Sequence, residues 1–246
     1  MAKGMKRGLI ALFWIGVWAA AALAVGKPLL LPGPLETVRA LFHLAGTAAF
    51  WQSTGMTLLR VAGGFAASAL LGALLGALCF ACPLLDALLS PLRGIIKATP
   101  VSSFIILVLL WIEKGRVPAF ISFLTVLPIV WTAVQEALRA TDGQLIEMAR
   151  AYRFSLGQRI RYLYAPSARP HFAAACMTGL GFAWKSGIAA EVIALPALSV
   201  GRNLYDAKIY LERADLFAWT LTVILLSMAL EALLRGAMGR LKGAQA

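Results

Sequence analysis

At 246 residues, 61% hydrophobic and 14% charged, with a mean hydropathy of +0.81, the chain holds more apolar residues than one soluble core can bury; soluble domains are roughly half apolar and about a quarter charged. A water-soluble enzyme is excluded, and the long apolar runs predict an all-α polytopic membrane helix bundle. The formal net charge of +12 would suggest nucleic acid in a soluble protein; here it is assigned to Lys and Arg in cytoplasmic loops, and no nucleic-acid partner is expected.

Six apolar segments predict six transmembrane helices in a single domain spanning 1–246. The first is Gly8 to Val25. Lys3, Lys6 and Arg7 before it and Ala22-Leu23-Ala24 within it leave a cleavable signal peptide as the rival reading. The segment 27–54 follows. Pro28, Pro32 and Pro34 break the chain, and Leu35, Val38, Leu41 and Phe42 fall on one helical face, which predicts a short interfacial helix with Trp51 near the lipid headgroups. His43 reads as an interface residue. The second span is Val61 to Leu85, with Gly64, Ser68, Gly72 and Gly76 at every fourth position. Such a ladder lets two helix backbones approach closely, although the spacing does not name the partner. Cys79 and Cys82 form a C-x-x-C that reads as small residues packed in a helix, since no second ligand pair accompanies it. The third span is Ile95 to Ile112 and the fourth Val117 to Gln135.

The stretch 139–169 is the longest polar segment, and it is amphipathic. Thr141 and Gln144 fit a capping box that starts a helix at Asp142; Leu145, Met148, Ala149 and Tyr152 form an apolar stripe. Ser155 and Gln158 fit a second box, and the apolar stripe Leu156, Ile160 and Leu163 runs on until Pro166, which is expected to end the helix. By itself the pattern leaves two homes for this apolar face, an anionic lipid surface or a groove on a cytoplasmic partner. The fifth span, Phe172 to Leu195, carries Lys185 and Glu191. Ionisable residues inside a membrane are functional candidates. Six positions apart they point in different directions, so each either lines a path or pairs with another element, Arg202 or Lys208 in the case of Glu191. The sixth span is Leu216 to Leu230. With the N-terminus inside, Lys3, Lys6, Arg7, Arg93, Lys97, the six arginines between Arg139 and Arg169, Arg235, Arg240 and Lys242 are cytoplasmic and outnumber the rest. Both termini and the 139–169 loop are therefore expected in the cytoplasm.

The loop resembles the signature of permease subunits of binding-protein-dependent ABC importers: E-A-A, three residues, G, nine residues, I, one residue, L-P. Glu147, Ala149 and Pro166 match, while Met148, Leu163 and Ala165 are mild changes. Arg153 stands where the family has Gly, and Gly157 is the neighbour expected to supply the turn. Ser53 to Val61 running into Gly63-Gly64-Phe65, together with Ala98-Thr99-Pro100, Gly181 to Trp184 and Ala190-Glu191, is similar to the nitrate, sulfonate and taurine branch. The resemblance implies a type I importer permease fold in a bacterial inner membrane. It also implies a second permease copy, a pair of cytoplasmic ATP-binding subunits and a periplasmic or lipid-anchored substrate-binding protein. The loop would dock on the ATPase through Glu147, Ala149, Tyr152 and Gly157, and Lys185 and Glu191 are candidates for the path of a small, sulfonate-, taurine- or nitrate-like solute. The chain lacks the phosphate loop G-x-x-x-x-G-K-[ST], so ATP is expected on the partner, and no cofactor, metal site or enzymatic activity is expected of this chain. The alternative class is an ion-gradient-driven transporter; a membrane-embedded enzyme lacks a recognisable nucleophile or metal cluster.

Overall fold

A computed structural model describes residues 2–26 and 30–243. Lys27 and Pro28, which open the interfacial segment, lie outside the described residues. Among the described residues all regular structure is helical: α1 Ala2–Val25, α2 Pro34–Ala45, α3 Ala48–Ala81, α4 Pro83–Ala98, α5 Val101–Val108, α6 Val117–Arg139, α7 Gly143–Ala151, α8 Leu156–Arg159, a π turn Ile160–Tyr164, α9 Ala165–Ala194, α10 Val200–Ile209 and α11 Arg213–Gly243. Among the described residues four helices are long and apolar enough to cross a membrane, Gly8–Val25 of α1, α3, α6 and Arg213–Met238 of α11, and the bent pair α4 and α5 makes a fifth if it is one span. At 30 residues α9 is also longer than the ~20 residues a bilayer needs.

The third span departs from expectation. Ile95 to Ile112 is not one helix; α4 and α5 meet at 104°. Thr99-Pro100 supplies the cause. Proline has no N–H to continue the ladder and forces the residue before it out of helical geometry. Thr99 is accordingly extended, with φ −74° and ψ 125°. The second span is also displaced: α3 starts at Ala48, well before Val61, and stops at Ala81 rather than Leu85.

The centre of the bundle is the packing of α3 and α9 against α6, with α11 closing the fourth side. Val61, Val126, Val130, Ala183, Trp184 and Trp219 are all buried there. The glycine ladder of α3 finds its partner in α6. A Cβ on Gly64 would overlap the Ala119 carbonyl, one on Gly72 would lie 3.0 Å from the Val130 Cβ, and one on Gly76 2.7 Å from the Trp131 carbonyl oxygen. Removing side chains here lets the two backbones touch. The same spacing recurs on α9 as Gly179, Ala183 and Gly187, where a Cβ on Gly187 would fall 2.6 Å from both Ser122 Oγ and Val61 Cγ2.

The interfacial helix forms as α2, and Glu36 accepts a hydrogen bond from the Gly33 amide at its start. It packs against α11 with Leu35, Val38 and Phe42 exposed and Leu41 half-buried. Trp51 and His43 are also exposed. At the outer edge, α1 leaves most of its apolar side chains uncovered and stacks Trp18 on Phe217 of α11.

Candidate functional site

The loop between α6 and α9 forms two short helices, as its pattern predicts, with different capping. Asp142 rather than Thr141 caps α7; its carboxylate accepts from the Gln144 amide at 2.9 Å. Thr141 remains attached to the end of α6, where its hydroxyl donates back to the Ala137 carbonyl. The second box forms as expected, with Ser155 Oγ accepting from the Gln158 amide and Gln158 Oε1 from the Ser155 amide.

Between these helices the chain turns at Arg153, whose φ is +52°. The Arg153 amide donates to the Arg150 carbonyl at 3.0 Å and the Phe154 amide to the Ala149 carbonyl at 2.9 Å. These are the paired bonds of a Schellman motif, which usually places glycine at the left-handed position. Arginine therefore takes the glycine conformation, and Gly157, the expected turn residue, lies inside α8. Pro166 does not end the helix either. The π turn widens the ladder just ahead of it, with the Ala165 amide donating to the Ile160 carbonyl, and α9 continues through it. A π bulge of this kind makes room for the ring that an α ladder would exclude.

The loop presents a mixed surface. Glu147 and Gly157 are exposed; Tyr152 is 74% exposed, and Leu156 and Tyr162 are exposed as well. Among the described residues no ion pair holds Glu147. Ala149 is buried and helps line a groove of about 380 Å³ with Leu145, Met148, Phe154, Tyr162 and Leu163. Its side chain thus serves the packing inside the loop.

The two ionisable residues of α9 have different surroundings. Lys185 is exposed, on the same face as Phe182 and Ala189, and makes no ion pair among the described residues. Glu191 has no exposed surface. Thr57 Oγ1 lies 2.9 Å from both of its carboxylate oxygens. The Gly201 amide donates to Oε2 at 3.0 Å, and Arg60 approaches Oε1 at 3.5 Å. Thr57 also accepts from the Val200 amide, and Arg60 donates to the carbonyls of Ala197 and Leu198. One carboxylate thereby joins α3, the end of α9 and the start of α10. The two lysine or arginine partners considered from sequence are otherwise placed: Arg202 pairs with Asp206, and Lys208 forms no ion pair with Glu191. The hairpin between α9 and α10, with Leu195 and Leu198 in the left-handed region, turns Gly201 back onto Glu191. Sequence reasoning missed Thr57 and Arg60; a hydroxyl and a guanidinium at i and i+3 on an apolar helix were the available signal.

A second charged cluster, also missed, joins α4 to the loop end of α6. Asp86 pairs with Arg139 at 2.8 Å and with Arg93 at 3.7 Å. Arg93 donates to Gln135 and lies over the Trp131 ring. Further along, Lys97 Nζ donates to Thr132 Oγ1 at 3.2 Å. The charged face of α4 therefore looks toward α6, while Leu84, Leu88, Leu92 and Ile95 are exposed.

Comparison with known proteins fits this architecture. The model of the family described as "Binding-protein-dependent transport system inner membrane component" matches residues 68–242. The chain is 30% identical over 226 residues to the riboflavin transport system permease protein RibX of Chloroflexus aurantiacus, covering 88% of this chain and 84% of that protein. It is 24% identical to the taurine transport system permease protein TauC of Escherichia coli, covering 95% and 87%. A putative aliphatic sulfonates transport permease protein, SsuC of Bacillus subtilis, is 25% identical, covering 87% and 78%. The fold is similar to that of a chain in the crystal structure of an amino acid ABC transporter with histidines, with a TM-score of 0.65, 15% identity, and coverage of 83% of this chain and 97% of that one.

Proposed function

Because the chain belongs to the family of inner-membrane components of binding-protein-dependent transport systems, we propose that it is the permease subunit of an ATP-driven importer whose 139–169 loop docks on a cytoplasmic ATPase. Members of this family are polytopic subunits of the inner membrane, and they are not themselves enzymes. The observation that carries the loop assignment is that this one loop leaves Tyr152, Leu156 and Tyr162 exposed together with the exposed Glu147. Apolar side chains left uncovered next to a free charge suit a protein groove. In this reading Tyr152 is the anchor, Glu147 the polar contact, and Gly157 permits close approach, while Ala149 keeps the loop compact. Both termini and this loop lie in the cytoplasm, two copies of the chain enclose the path, and an extracytoplasmic binding protein delivers the solute.

ATP-driven closure of the ATPase pair favours the permease conformation whose two loops fit the closed pair. The transporter shifts between inward- and outward-open states by that difference in affinity. The solute is small. The relatives are named for riboflavin, taurine, aliphatic sulfonates and bicarbonate, and an exposed Lys185 on α9 suits a solute that carries negative charge. Glu191 serves the path by holding its outer end rather than by facing the solute.

The test is co-purification of the tagged chain with the ATPase encoded beside it, in mild detergent. Wild type is expected to retain the ATPase, and Glu147→Lys and Tyr152→Ala to lose it by tenfold or more. Retention unaffected by either substitution would overturn the assignment of the loop. Uptake that needs an ion gradient and no ATPase would return the secondary transporter to the front.

A further inference from the structure

The side of α6 next to α4 carries hydroxyl groups in an otherwise apolar helix. Thr125 shares a hydrogen bond with Ser186 of α9 at 3.0 Å. Seven residues further toward the loop, Thr132 accepts from Lys97; after seven more comes Arg139, held by Asp86. Seven residues of α-helix rise about 10 Å, so these are three successive levels. Lys185, the neighbour of Ser186, belongs to the uppermost level, Lys97 to the middle one and Arg139 to the loop end.

Lys97 differs from the cations below it. Asp86 takes up Arg93 and Arg139. Glu136, one turn from Thr132 on α6, is exposed and forms no ion pair with Lys97, which among the described residues has no acidic partner at all. The residue is exposed, and its ammonium spends one hydrogen bond on a neutral hydroxyl. The charge count from sequence places Lys97 in a cytoplasmic segment; in the structure it lies at the end of α4, within the bent helix pair Pro83–Ala98 and Val101–Val108 that is apolar enough to enter a membrane. An uncompensated cation there is costly against lipid and is stabilised by water and passing anions. Lys97 also sits two residues before the extended Thr99 that sets the bend between α4 and α5, so the break in the span fixes its height.

We propose that Lys97 is a charge-selecting residue in the inner half of the translocation path, which contacts a solute bearing an anionic group after Lys185 has done so one level above. The proposal rests on the permease reading and adds to it a second residue that selects the charge of the solute.

The test uses the transporter assembled with its ATPase and carrying Thr125→Cys, with Ser186→Cys as a second reporter. The probes are a small anionic and a small cationic methanethiosulfonate of similar size. Labelling is read peptide by peptide by mass spectrometry, so the native Cys79, Cys82 and Cys176 remain. The anionic reagent is expected to react faster at both reporters. Its advantage is expected to fall roughly fivefold in Lys97→Gln, the size of effect one charge exerts at about 10 Å in a partly hydrated site, and to be kept in Lys97→Arg. An unchanged ratio in Lys97→Gln, or reporters inert to both reagents, would overturn the proposal. If the ATPase co-purifies and the ratio does not move, this inference alone fails. If the ratio moves but no ATPase binds, the cationic stripe stands and the importer reading falls.

Discussion

At the residue scale, Arg153 holds a backbone conformation that glycine adopts freely, and a left-handed non-glycine residue costs roughly 1 kcal/mol. The turn survives because its two Schellman bonds are made by backbone atoms, which any side chain leaves in place. Arg153→Gly is therefore expected to stabilise the turn by about 1 kcal/mol, seen as slower amide exchange at Arg153 and Phe154. Faster exchange there would show that the guanidinium supports the turn. The residue pattern located this turn to within a few positions and misjudged its author: the glycine at 157 looked able to turn the chain, yet backbone bonding decided in favour of a residue with no intrinsic preference for that geometry. The capping at Asp142 is a similar case. Two neighbouring residues both suit the cap, and the choice depended on where α6 stopped.

At the element scale, the packing of α3 on α6 depends on missing side chains. Gly64 touches the Ala119 carbonyl, while Gly63 has nothing within 4 Å of a Cβ. Gly64→Ala must push the helices apart and is expected to destabilise the detergent-solubilised protein by about 1–3 kcal/mol, in line with overpacked cores. Gly63→Ala on the same helix is expected to be silent. Thermal unfolding of the pair measures the difference, and equal midpoints would remove α6 as the partner of the ladder. The four-residue spacing on α3 was legible because helical period alone reveals a stripe. The equivalent stripe of Gly179, Ala183 and Gly187 carries the same signal between more conspicuous charges. The break between α4 and α5 was hidden for a different reason. Apolar content continues across Thr99-Pro100, so a hydropathy window reads through a gap that only the missing amide and the crowded preceding residue create.

At the scale of the whole molecule, Glu191 joins residues 131 to 134 positions away on α3 to the hairpin beside it. Glu191→Ala leaves the Gly201 amide without its acceptor and the Arg60 guanidinium without its counter-charge. Breaking one partner of a buried pair costs about 3–5 kcal/mol. The expected result is loss of amide protection over 195–209 with α6 and α7 unchanged, measured by hydrogen exchange. Protection that persists in the hairpin would show that apolar packing holds it without the carboxylate. By itself the sequence determined that this chain spans a membrane, roughly where its helices lie and that the 139–169 loop folds as short amphipathic helices. These follow from apolar run length and helical period, which are properties of consecutive residues. Tertiary structure decided which helix the glycine ladder meets, that Glu191 is enclosed while Lys185 is open, and that Asp86 and the arginines of α4 and α6 belong together. The reason is physical: a buried charge or a missing side chain must be matched by some partner, and which partner it is depends on distance in space rather than along the chain.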